Sequence, residues 1–544
     1  MNDFDRPVYP RAPRCRARAS GLFASRHGGW RGSRIMLLLM LPALLALPAC
    51  KSPAERAAEL AAQANAQADA GNLVAAQKAI LEAIALRDDI PAYQQLLGAI
   101  ALKAGNQGDA YRAFSRALDV DPTNMTALAY VANLGVQVGQ INRAEEAADR
   151  LLTLDPNALP AMQVKGMIAL ARDRDDEALA IGDRMLALRP GDEAGTIIKA
   201  RALAKQGQFD AALALLDGPA GASESPVLLA NKLNIYRNLR QPEAMADMLA
   251  RLEQRDAMSP ALRLDQVNLL YRLGRTDAAR QAAMALLREG AAPESYRALQ
   301  RLWWEYDKTP LSVASAGEAA RWKDPAAAQQ TVRYLLARGD LATAQAVIRS
   351  APANARPLLA SLEARLLAAS GQGAQASEAA EMLLKKDPQD VDALLVRALT
   401  ALAAGKPGPA VEAAQLARAN DPVNAESYLV LARIAQAEDQ AWRVRRAFEE
   451  GIKALPQNFL LLERYTQFLH QSGDKGRAVS VARAFARATP SSVRAWSFLV
   501  EQCRWAEDEG CLQGALAGQK NAETTYLVDD PPGTARNRGL FGRI

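Results

Sequence analysis

A proline returns every 34 residues along the second half of this chain. Pro388, Pro422, Pro456 and Pro490 each stand 34 residues from the next, and the first two follow an aspartate, Asp387 and Asp421. Upstream, Pro122, Pro156 and Pro190 keep the same interval. A fixed period of this length marks one supersecondary unit copied in tandem, each copy too small to bury its own apolar face and covered by its neighbours. The prolines fall where a helix must stop, because the ring removes a backbone donor and collides with the preceding turn.

Between the prolines a second pair of marks keeps the register. Gly71 and Ala76, Gly105 and Ala110, Gly139 and Ala144, Gly207 and Ala212, Gly371 and Ala376, Gly405 and Ala410, and Gly473 and Ala478 each place a small residue five positions after a glycine. Glycine ends a helix cheaply in a left-handed cap, and the alanine lets a second helix lie close against the first. With Ala, Leu, Arg, Glu and Gln abundant, each unit reads as a helical hairpin, and the chain as all-α. Roughly thirteen hairpins fit between about Glu55 and about Gly518. Pro190 and Pro388 are 198 residues apart, not a multiple of 34, so the register slips between them.

The clearest copy, Pro91 to Asn124, carries Gln95, Leu97 and Gly98 in a first helix, a turn at Gly105, then Ala110, Phe114 and Ala117 in a second, with Pro122 at the end. This pattern resembles the tetratricopeptide repeat. The resemblance implies a right-handed α-α superhelix whose concave groove receives protein partners. In it Gly98 and Ala110 sit where the two helices approach, and Phe114 fills the gap toward the next repeat.

The formal charge of +6 invites a nucleic-acid reading until it is divided along the chain. Residues 1–50 hold eight arginines against Asp3 and Asp5, which accounts for the whole excess; residues 51–544 carry 58 basic and 58 acidic residues. No nucleic-acid footprint remains for the body. Arg31 and Arg34 precede the apolar run Ile35–Leu47, a basic segment followed by a stretch too short to span a membrane as an ordinary helix, which reads as an export signal. Leu47, Pro48, Ala49 and Cys50 resemble the lipobox of bacterial lipoproteins. That resemblance implies cleavage before Cys50, lipid on Cys50 and a membrane anchor. Lys51, in place of an aspartate that favours inner-membrane retention, points to the outer membrane, facing the periplasm.

Catalysis finds little support. The two histidines are His27 in the leader and His470, too few for a histidine metal cluster or a nucleophilic triad. Gly371, Gly373 and Ala376 mimic a dinucleotide fingerprint but lie between two helices in repeat register and follow no strand. Asp173, Asp175 and Asp176 lack the alternating ligands of a calcium loop and read as a solvated turn. No enzyme, cofactor or metal is expected.

The densest aromatic group, Trp303, Trp304 and Tyr306, falls in the irregular middle. Aromatic and arginine side chains anchor peptide partners, and flat rings stack on sugars; alternatively these residues fill a poorly matched junction between repeats. Successive helical residues point about 100° apart, so at most one of the two tryptophans is fully buried. Asn231, Asn234 and Arg237, with Gln266 and Asn268, are candidates to line the same groove. Cys503 and Cys511, eight apart in the last hairpin, are disulfide candidates if exported.

The expected organisation is a signal segment over 1–49, an anchor linker over 50–56, a regular array over 57–222, irregular hairpins over 223–356, a regular array with a cap over 357–518, and a disordered tail over 519–544. The expected function is a lipid-anchored, periplasm-facing scaffold that binds proteins in a cell-envelope assembly. Among the anchored arrays it resembles, exopolysaccharide export and outer-membrane assembly are the roles to consider; direct carbohydrate binding through the aromatic group is the alternative.

Overall fold

The computed structural model describes residues 52–218 and 225–525. The signal segment, Cys50, the junction at 219–224 and the tail beyond Thr525 lie outside the described residues. Those described contain 28 α-helices and no strand. They run as fourteen consecutive pairs, one more than the spacing alone gives, from the hairpin Pro53–Asp69 and Leu73–Leu86 to the hairpin Val493–Ala506 and Glu509–Glu523. The molecule is an all-α solenoid.

The turn between the two helices of a pair shows why the register holds. Gly71, Gly105, Gly139, Gly207, Gly371, Gly405 and Gly473 all take positive φ. The same left-handed position falls on Asp173, midway between Gly139 and Gly207, and on Asp439 and Glu507, 34 residues after Gly405 and Gly473. The acidic group at 173–176 therefore contains a turn residue of the array. Asp173 also receives Lys205 Nζ at 2.5 Å from the next pair.

Inside the hairpin the small residues do what their spacing implies. Ala110 is fully buried, and a Cβ built on Gly98 would lie 2.6 Å from the Phe114 ring. Phe114 in turn stacks on Tyr130 of the next pair, centroids 4.2 Å apart, so one aromatic ring joins its own hairpin to its neighbour.

The middle departs from the pattern in a definite way. Left-handed turns at Gly207, Arg240, Gly274, Gly339 and Gly371 are separated by 33, 34, 65 and 32 residues. The 65-residue interval contains Pro293–Tyr306, which is followed not by a full second helix but by the short helix Val313–Ala316 running into the 3₁₀ turn Gly317–Arg321, both packed on Leu341–Ser350. Side chains replace the missing helix. The largest buried apolar cluster gathers here, from Leu264 to Leu366, and includes Trp303, Trp322 and Tyr334. Asp307, buried after the long helix, accepts from Tyr271 Oη at 3.0 Å and from Arg280 Nε at 2.8 Å and Nη2 at 2.9 Å.

Beyond this point a charge ladder ties four first helices together. Arg333 Nη2 reaches Asp392 at 2.7 Å, Arg365 Nη1 reaches its other oxygen at 2.9 Å, and Arg365 Nη2 lies 3.4 Å from Glu426. Burial alone would push the Asp392 carboxyl up, but the two guanidiniums outweigh it and hold the group below the ordinary carboxylate range.

Candidate partner groove and closing contact

Two hollows lie against first helices, and the sequence candidates divide between them. The larger, about 260 Å³, runs across three successive first helices, Leu159–Ala171, Glu193–Lys205 and Pro226–Asn238. Its floor is apolar at Leu170, Ala200 and Ile235, and its walls carry Arg201, Asn231, Asn234 and Asn238. The three asparagines occur at i, i+3 and i+7 of one helix and so share a face. Burial pulls the Arg201 guanidinium below its ordinary range. Asn231 donates to the Val227 carbonyl at 2.8 Å, while Asn234 Oδ1 accepts from Arg237 Nη1 at 2.8 Å. Amide donors and acceptors on one face suit the alternating groups of an extended peptide backbone.

Arg237 is not part of that wall. Its Nη2 turns toward the next pair and meets the buried Asp265 at 3.0 Å. Gln266 donates to Glu253 at 2.9 Å. The polar set is divided: Asn231 and Asn234 face one hollow, Asn268 lines the other together with Trp304, and Arg237 bridges two successive first helices.

The aromatic group has a different task. Trp303 is 2% exposed and packs against Tyr334 at 5.1 Å between centroids, which makes it core. Tyr306 stacks on Tyr271 at 5.6 Å. Trp304 is partly buried and packs against two apolar clusters at once, that of the irregular middle and that of the last two hairpins. It lies in the second hollow, where Pro293–Tyr306 meets Phe459, Phe485 and Arg494.

Here the solenoid returns on itself after six pairs. Arg272 Nη1 donates to the Ala522 carbonyl at 2.7 Å, and Nη2 to the Ser491 carbonyl. Arg301 donates to Gln457, which passes the connection to the Ala488 carbonyl at 2.8 Å. The Arg494 amide donates to Glu305 Oε1 at 3.3 Å. The Arg494 guanidinium lies 5.2 Å from the Phe459 centroid and 5.9 Å from that of Phe498. None of these pairings has a local sequence signal; the adjacent tryptophans and the missing second helix are the nearest hints.

The remaining candidates are quickly placed. Cys503 and Cys511 are joined as a disulfide, Cα atoms 5.6 Å apart. His470 Nε2 lies 2.7 Å from Gln502 Oε1, and its ring packs on Trp505. Gly371 and Gly373 lie at a turn and at a helix start, in the setting read from the sequence. Among the described residues no group of three or more His, Cys, Asp or Glu is placed to hold a metal ion, and no helix is long and apolar enough to cross a membrane.

A family model described as tetratricopeptide repeat matches residues 132–193 and 361–425, one stretch in each regular array. No curated protein sequence matches the chain significantly. Among solved structures, a tetratricopeptide repeat protein from Parabacteroides merdae is 17% identical, covering 45% of this chain and 98% of its own, with a TM-score of 0.40. Pseudomonas aeruginosa pilF is 15% identical over 38% of this chain and 96% of its own, TM-score 0.32. A structure of Naa15/Naa10 bound to HypK-THB is 16% identical over 87% of this chain and 79% of that one, TM-score 0.26. The matched stretches share their 34-residue register with the helix pairs around them: residues 132–193 and 361–425 are tetratricopeptide repeats set in an all-α solenoid.

Proposed function

We propose that this protein is a non-catalytic scaffold whose first half captures an extended segment of a partner protein. The observation that carries this reading is the hollow across Leu159–Ala171, Glu193–Lys205 and Pro226–Asn238, which combines an apolar floor with Asn231, Asn234, Asn238 and a desolvated Arg201. A groove of this kind recognises the backbone amides of an extended segment through the asparagines. The other hollow is lined by the closing contact itself, Arg272, Arg301, Glu305 and Arg494, so binding is assigned to the larger one.

The cellular setting rests on the leader alone. Residues 31–50 support export and lipid attachment at Cys50, and hence a scaffold tethered to the outer membrane and facing the periplasm, within an envelope assembly such as exopolysaccharide export. The carbohydrate reading is not carried forward, because Trp303 is core and Trp304 is engaged in an internal contact.

Selection of a displayed random-peptide library on the full-length protein tests the groove. Selected peptides should bind the unaltered protein, and Asn234→Ala with Asn238→Ala should weaken them at least tenfold. Equal binding to the doubly substituted protein would refute the assignment.

A further inference from the structure

We infer that the contact between Pro293–Tyr306 and the last two hairpins is a reversible latch, closing the second half of the solenoid into a ring that opens without unfolding any repeat. Three observations carry it. The contact is small and built chiefly from long side chains: Arg272 on two backbone carbonyls, Arg301 on Gln457, Glu305 on the Arg494 amide, and Trp304 as the side chain shared by both apolar clusters. It lies outside the hairpin-to-hairpin packing that stabilises each repeat, since a solenoid repeat depends on its sequence neighbours. Its two sides also retain their own caps and cores when considered apart: Ser492 caps Val493–Ala506 through the Ala495 amide, and Trp304 keeps Tyr334 and Arg338 as companions within its own half.

The latch has a built-in reporter. Arg494 is the second residue of its helix, and amides in that first turn have no intrahelical carbonyl to bond. The partner of the Arg494 amide is Glu305, contributed from six pairs away. Its hydrogen exchange therefore reads closure directly, whereas the Phe498 amide, one turn further into the same helix, reads helix integrity.

The test uses the full-length protein, residue-resolved hydrogen exchange by mass spectrometry, and small-angle X-ray scattering. In the unaltered protein the Arg494 amide should exchange at least tenfold more slowly than an unstructured amide. Arg272→Ala with Arg301→Ala should abolish the Arg494 protection and enlarge the radius of gyration, with helical circular dichroism retained. Should that double variant fold poorly, Gln457→Ala removes one latch partner at the rim and should give the same change in smaller degree. An unprotected Arg494 amide in the unaltered protein would overturn the proposal. So would protection and dimensions unchanged in the variants, or loss of Arg494 and Phe498 protection together, which would make the contact part of the fold.

Discussion

Removing the Asp392 carboxylate should uncouple the middle of the solenoid from the second regular array. Asp392 holds Arg333 and Arg365 at 2.7 and 2.9 Å, and its side chain is 2% exposed against 8% for Arg365. Breaking a buried ion pair by deleting one partner costs about 3–5 kcal/mol, because the surviving charge stays buried without compensation. Here Arg365 keeps Glu426 at 3.4 Å, and Arg333, less deeply placed, can turn toward water. The lower end therefore applies, and Asp392→Ala should cost about 3 kcal/mol, or roughly a hundredfold in local opening. In a repeat array that loss stays near its origin. Hydrogen exchange should accelerate by that factor in Pro325–Arg338, Arg356–Ala369 and Val391–Ala403, and remain unchanged in the first three hairpins. Replacing Arg333, Arg365 and Asp392 together by methionine should come out near neutral, since an apolar trio avoids the desolvation that the ions suffer. The reasoning fails if Asp392→Ala alters exchange less than about twofold, or if the change is spread evenly over the whole chain.

Further outcomes follow from the same structure. Gly98→Ala should destabilise its hairpin by about 1–3 kcal/mol through overpacking against Phe114, and Phe114→Leu should recover part of the loss in a double-mutant cycle; additive losses would dismiss the contact. Reducing the Cys503–Cys511 bridge should loosen the last hairpin by about 2.5 kcal/mol in the chain-entropy model, measured as faster exchange in Glu509–Glu523. Although burial pushes the Asp307 carboxyl up, Arg280 and the other donors bring it below the ordinary range. A depressed folded-state value means its stabilisation is fully present above about pH 4, the unfolded value, and disappears as pH falls through the folded one; acid titration of Asp307→Asn should lack that component. Cys50→Ser should abolish incorporation of a fatty-acid analogue into the protein, and persistent labelling would refute the anchor.

The repeat was legible because its packing demands recur. Hairpins of the regular arrays need a left-handed turn and most carry a small residue at the helix crossing, so glycine, alanine and proline mark those arrays at one interval, and even Asp173 could be recognised by lying 34 residues from Gly139 and from Gly207. The irregular middle was legible only as a break. What compensates for its missing helix is a buried aromatic cluster and the Asp307 hydrogen-bond set, whose residues have no fixed spacing. The closing contact left still less trace: Arg272 meets carbonyls of Ser491 and Ala522, and a backbone carbonyl carries no residue identity to read. The aromatic doublet could be read either as a partner-binding group or as filling for a junction between repeats; one indole is core, and the other faces a hairpin nearly two hundred residues further on.

A stacked array is a spring. Each interface yields slightly under thermal agitation, and the displacements add along the stack, so a free run of repeats is softest at the end farthest from its support. Joining the seventh and eighth pairs to the last two turns half of that spring into a hoop, in which bending at one interface must be matched by the others. Among the described residues the closing hydrogen bonds reach none of the first six pairs, which continue from the hoop as an arm. The asparagine-lined hollow lies on that arm, where widening or narrowing by a fraction of an ångström per interface is cheap. A partner segment seated there, as proposed, would be gripped by adjustment of the arm while the hoop holds its shape.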